Sequence, residues 1–285
     1  MTEGRNPDPA SDSTAALPPH APGKDRHFVA ALARGLRILR CFSAERPTLG
    51  TSEIARLTGL PQPTVWRACH TLLETGYLVP DGDSGRMRLG AGCLALGHAV
   101  LATQPMTQVA QGLMQRLANR FTSALALAER DGDAMIVTMR VQGPSTMLMN
   151  IPVGSRMPIL SSALGWAYLA ELAEAPRAAL IEMLRHDEAE RWDQLGPAID
   201  AAMTQYRNHG YLVNRGYFHP RVASCGVAFR LPGATPEQSR IYALNCGGPA
   251  AQFNDALITN EIAPALIEMT QSLRAALPHP RKDTT

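Results

Sequence analysis

The stretch that most limits what this chain can become is 51–76, TSEIARLTGLPQPTVWRACHTLLETG. It reads as two short helical segments around a tight turn. Apolar Ile54, Ala55 and Leu57 give the first segment one inward face. Ser52 stands where an N-cap hydroxyl accepts from a first-turn amide. Gly59 can take the positive φ that ends a helix, and Leu60-Pro61 opens the next one. In the second segment Val65, Cys69, Leu72 and Leu73 recur at helical spacing and turn inward. Gln62, Thr64, Trp66, Arg67 and His70 are left outside. Two packed helices presenting such a set are the working part of a helix-turn-helix, whose partner is the major groove of DNA.

The charge distribution agrees. The 285 residues carry a net charge of only +2, but between Arg26 and Gly90 there are nine arginines against five acids. Between Met106 and Ala275 fourteen basic residues face fifteen acidic ones. A basic front and a near-neutral back fit a DNA-binding domain joined to a second domain. The length is comfortable for two. Cys41, Cys69, Cys93, Cys225 and Cys246 are scattered singly, which suits reduced thiols and an expected cytoplasmic location. No apolar run reaches the roughly eighteen residues of a membrane span. Residues 1–27 lack the apolar stretch of a secretory signal and read as a disordered tail, and 279–285 read as a second tail.

Residues 28–90 form the expected first domain. A helix over 28–43 carries Phe28, Leu32, Leu36, Leu39 and Phe42 on one stripe, and Pro47 closes it. After the helix-turn-helix, short strands at 77–79 and 86–89 flank a Gly/Asp turn and make a hairpin. A hairpin there is a wing, with Arg86 and Arg88 placed to reach phosphates or the minor groove. A linker helix is expected over 91–105, then an α+β domain over 106–278. Its helices are expected at 107–121, 164–172, 176–185, 197–209 and 260–277. Its strands are expected at 123–129, 134–141, 147–151, 222–229 and 240–246.

The order and spacing of several segments resemble the IclR family of transcriptional regulators. They are ARGLRIL (33–39), TSEIARLTGLPQPTVWR (51–67), LLETGYL (72–78) and RMRLG (86–90). In the second half they are RVQGP (140–144), VGSRMPILSSALGWAYLA (153–170), NHGYLVNRG (208–216) and GGP (247–249). The resemblance implies a winged helix-turn-helix domain, a linker helix and a GAF-like effector-binding domain. It further implies promoter DNA, a small organic acid (aromatic or carboxylic) and a dimer or tetramer of the chain itself as partners. Members include repressors and activators, some of aromatic compound catabolism.

Arg67 matches the arginine of the family's T-V-x-R pattern, and its guanidinium can grip a phosphate or read a guanine edge. Ser52, Gln62, Pro63, Thr64, Trp66, His70, Arg86 and Arg88 complete the expected DNA-contacting set. Trp66 departs from the smaller residues usual at its position, and the sequence leaves two readings open, sugar contact or core.

The expected effector site has Ser161, Ser162, Ala163 and Gly165 at a helix start, where amides can hold a carboxylate. Met147 and Met149 (with Leu148) are adaptable walls, or ordinary core. Asn214, Val222, Ser224, Asn245 and Gly247 follow by family position. Here an acidic run is replaced by Asn214-Arg215-Gly216-Tyr217, and two serines by Asn245 and Gly247. Arg215 and Arg221 would suit an anion, or are surface residues. No HExxH, Walker loop or GxSxG occurs, the histidines lack ligand spacing, and Cys225 reads as an inert thiol. Neither enzyme activity, a cofactor nor a metal is expected. Two alternatives stand beside a ligand-responsive regulator. One is a constitutive regulator with a vestigial pocket, the other a metabolite-binding module whose winged helix only mediates association.

Overall fold

Gly50 and Gly59 bracket the first helix of the helix-turn-helix, and each does so by backbone geometry. Residues 27–103, 105–144, 149, 151–233, 235 and 239–277 are described in a computed structural model of the chain. Helix α2 (Thr51–Thr58) is capped by Gly50 rather than Ser52, whose hydroxyl already lies inside the helix. The Glu53 carboxylate accepts from the Gly50 N–H at 2.8 Å, the carboxylate half of a capping box. Gly59 ends α2 at φ 65°, a conformation that side chains with a Cβ resist.

Around α2 stand α1 (Ala30–Leu39), β1 (Thr48–Leu49) and α3 (Gln62–Glu74), followed by β2 (Leu78–Pro80) and β3 (Met87–Leu89). The strands form a three-stranded antiparallel sheet in the order β1-β3-β2. Strand β1 is too short for alternation to reveal. Ile38, Phe42, Leu49, Ile54, Val65, Cys69, Leu78 and Met87 make the core. The expected first helix is trimmed at both ends, and its stripe is corrected. Ile38 is buried, whereas Leu32 and Leu36 are 62% and 50% exposed. Three helices of this small domain need only one narrow contact from α1. The unit closes with α4 (Ala91–Thr103), in which no residue is buried.

The chain divides into two compact units, the first ending at Thr103. The second opens with α5 (Pro105–Arg120), β4 (Ala124–Asp131), β5 (Ala134–Gln142) and β6 (Arg156–Pro158). Then come α6 (Ala163–Glu171), α7 (Glu174–Arg185), a 3-10 turn (His186–Arg191) and α8 (Trp192–His209). It ends with β7 (Leu212–Arg215), β8 (Val222–Leu231), β9 (Arg240–Pro249), the single turn α9 (Asp255–Leu257), a π turn and α10 (Ala263–Ala276). Of the strand expected at 147–151, residues 147, 148 and 150 lie outside the described residues, and Met149 and Ile151 are not in a strand. The outer strand is β6 instead, and β7 had no counterpart among the expected elements.

The six strands are antiparallel throughout, in the order β6-β5-β4-β9-β8-β7. One face packs Leu125, Leu127, Val227, Phe229 and Leu244 against α5 and α10. The other packs Ala128, Val137 and Ala243 against α6, α7 and α8, around the buried Trp166. A β-bulge interrupts this alternation. Leu127 pairs with Met139 and Ala128 with Val137, so Thr138 has no register partner.

Candidate DNA-reading face and effector cavity

Pro61 precedes helix α3 as its N-cap residue, and Pro63 stands in the first turn, where a missing N–H costs nothing. Val65 and Cys69 bury its inner face. Gln62, Pro63, Trp66, Arg67 and His70 are exposed and Thr64 is half-buried. Gln62 Nε2 donates to Ser52 Oγ at 3.0 Å, tying the start of α3 to α2. Trp66 is 59% exposed, which rules out the core reading of that side chain. Its indole stacks on the His70 imidazole one turn on, with centroids 5.6 Å apart and planes 7° from parallel.

The two wing arginines differ. Arg88 is exposed. Arg86 is half-buried: its guanidinium meets Glu53 at 2.9 Å and donates to the Thr48 carbonyl at 2.7 Å. Glu53 therefore joins the Gly50 amide, α2 and the wing. The Gly50 N–H, followed by Arg86, holds the Glu53 carboxyl below its ordinary range. Arg86 thus ties the wing to α2 in this structure, with its side chain 39% exposed.

The second unit encloses a cavity of about 80 Å³. That exceeds the roughly 10–15 Å³ one water needs. Its floor is two neighbouring cross-strand rows of the sheet. In one, Asn214, Ser224, Gly247 and Ala124 lie side by side across β7, β8, β9 and β4. In the next, Asn245, Ala126 and Arg140 lie across β9, β4 and β5. Glycine and alanine leave the volume, and the longer polar residues rim it. A Cβ on Gly247 would stand 2.6 Å from Ser224 Oγ, so serine and glycine are paired by space here.

Ser162, Ala163 and Leu164, at the start of α6, form part of the wall, with Ile151, Met157 and Phe218. Ser162 caps α6 by accepting from the Gly165 N–H at 3.1 Å. Asn214, 3% exposed, donates to the Ser161 carbonyl at 2.9 Å and fixes that turn against β7.

Of the expected effector residues, Met149, Ser162, Ala163, Asn214, Val222, Ser224, Asn245 and Gly247 line the cavity. Ser161 and Gly165 do not. Gly165 is instead where α6 presses on its approach strand, since a Cβ there would meet the Ile159 carbonyl oxygen at 2.2 Å. Met147 lies outside the described residues. Arg215 is held by Asp255 and by the Phe253 carbonyl at 2.8 Å, away from the cavity, and Arg221 does not line it.

The cationic wall is Arg140, which sequence reading passed over. Its Nη2 donates to the Met149 carbonyl at 3.2 Å, and burial lowers the guanidinium's pKa. Arginine remains charged through such a shift. No acidic residue lines the cavity among the described residues.

The remaining groups offer little chemistry. Burial pushes the thiols of Cys69 and Cys246 up to about 11 and about 12, and raises Cys225 as well. Among the described residues no cluster of His, Cys, Asp and Glu is placed to hold a metal ion. No described helix is long and apolar enough to cross a membrane.

A winged helix-turn-helix followed by an α+β unit of this topology defines a DNA-binding transcriptional regulator. The family model for the IclR helix-turn-helix domain matches residues 31–82, and that for the bacterial transcriptional regulator IclR C-terminal domain matches 98–275. The chain belongs to the IclR family. It is similar to the HTH-type transcriptional regulator TsaQ1/TsaQ2 of Comamonas testosteroni, 31% identical over 88% of this chain and 89% of that one. An IclR family regulator structure from Brucella abortus superposes with a TM-score of 0.83 at 37% identity, covering 95% and 98% of the two chains. An IclR homologue from Microbacterium hydrocarbonoxydans, solved with 4-hydroxybenzoate, shares the fold at a TM-score of 0.63 and 23% identity, covering 87% and 100%.

Proposed function

We propose that this regulator binds promoter DNA through α3 and the wing, and that a small organic acid in the second unit's cavity controls that binding. One observation carries the effector reading. The cavity sets a guanidinium, two amides and two hydroxyls around apolar walls, with no carboxylate among the described lining residues. Such a wall favours an anion, and Arg140 offers a planar fork that matches a carboxylate. Ala163 and Leu164, in the first turn of α6, line the same space, where the helix dipole adds to the attraction. On this reading the protein is a sensor without enzyme activity.

Arg67, exposed beside Thr64 and Gln62, is the principal DNA contact, and Pro63 and Arg88 contribute to the same face. Self-association completes the proposal. Val29, Leu32 and Leu36 on and before α1, and Leu94, Leu96 and Val100 on α4, are exposed apolar side chains of one unit. They suit a second copy of the chain. Effector binding would then act by shifting the balance between two arrangements of the paired DNA-binding units.

The test is fluorescence anisotropy on the intergenic DNA upstream of the gene, with salt varied. Specific binding that Arg67→Ala weakens, and that a small aromatic acid shifts, is expected. Binding indifferent to sequence and to Arg67 would overturn the DNA reading. Specific binding blind to every acid would leave a constitutive regulator.

A further inference from the structure

Trp66 is 59% exposed and stands outside the domain's core. An indole presented to water on the outer face of α3, stacked on His70, is the largest apolar surface that helix offers. Residues four apart lie one above the other on a helix, so the two rings form one aromatic stack on its outer side. Stacking restricts both rings, and little side-chain freedom is left to lose on contact. Arg67, the next residue, is exposed as well, about 100° further round the helix.

The major groove presents one apolar group to a reader, the C5-methyl of thymine; its other base-edge groups are hydrogen-bond donors and acceptors. We propose that the Trp66–His70 stack, chiefly the exposed indole, buries a thymine methyl group and thereby sets the base preference at one position of the DNA site. This rests on the reading of α3 as the recognition helix. Arg67 supplies affinity through phosphate or guanine, and Trp66 supplies discrimination at an A·T pair.

The experiment uses the full chain and a duplex that it has itself selected from a random-sequence pool. Each thymine of the selected site is replaced in turn by deoxyuridine, which removes only the methyl group. Wild-type affinity is expected to fall about four-fold at one position, the loss that one buried methyl implies. Trp66→Ala should bind more weakly and treat thymine and deoxyuridine alike there. Arg67→Lys should bind more weakly but keep the discrimination. Because Trp66 is exposed, Trp66→Ala should melt with the wild type.

A wild-type chain indifferent to every replacement overturns the proposal, as does a Trp66→Ala chain that keeps the discrimination. So does a Trp66→Ala chain with unchanged DNA affinity but weakened self-association, which would make the indole a protein contact. Failure to enrich any sequence would instead contradict DNA reading itself, a distinguishable result.

Discussion

Val137 and Arg140 are three residues apart on one strand, and in a regular strand they would face opposite sides of the sheet. The bulge at Thr138 puts both on the cavity wall. That is why Arg140 was not legible. Alternation along 134–141 gives no sign of the extra residue, and Arg215 and Arg221 looked equally available. Asn214, Ser224, Asn245 and Gly247, by contrast, were found through family position, and they share two rows of the sheet. Arg140→Gln is expected to abolish the thermal shift produced by a binding acid while DNA affinity without acid stays unchanged. Gly247→Ser should displace the Ser224 hydroxyl, because their atoms would otherwise meet at 2.6 Å. A smaller acid-induced thermal shift, read by calorimetry, is its expected signature.

At the scale of elements, helices and long strands were readable because their apolar periodicity spans several turns or pairs. The elements that were missed, β1, β6 and β7, are only two to four residues long, too short for alternation to show. Wing placement depends on a contact between elements: Glu53 of α2 holds Arg86 beside β3. Glu53→Gln should lower stability by about 0.2–1 kcal/mol, the range of exposed ion pairs. A carboxyl whose pKa is depressed on folding stabilises above its unfolded value and stops doing so as pH falls through the folded one. The melting difference between wild type and Glu53→Gln should therefore persist at neutral pH. It should vanish as the pH falls below the ordinary carboxyl value of 4.5. A difference that grows on acidification would contradict this.

The whole molecule joins a helix-turn-helix unit to a cavity-bearing unit, and self-association, as proposed, acts at this scale. The stripe on α1 was legible as apolar, but its direction was not, since periodicity cannot say whether a face meets its own chain or another copy. Leu32→Glu with Leu36→Glu is expected to shift the chain to smaller species in sedimentation velocity, with little change in melting, because both side chains are exposed. Unchanged sedimentation would remove α1 from the interface.

The central claim is that a carboxylate held at Arg140 changes DNA affinity. Anisotropy titrations on the upstream intergenic duplex test it, with 4-hydroxybenzoate and a series of small carboxylic acids added to wild type and to Arg140→Gln. At least one acid should change the wild-type Kd by about five-fold or more, the usual floor of allosteric coupling. The same acid should leave Arg140→Gln unmoved. An equal response in both proteins, or none from any acid in the wild type, would contradict the account.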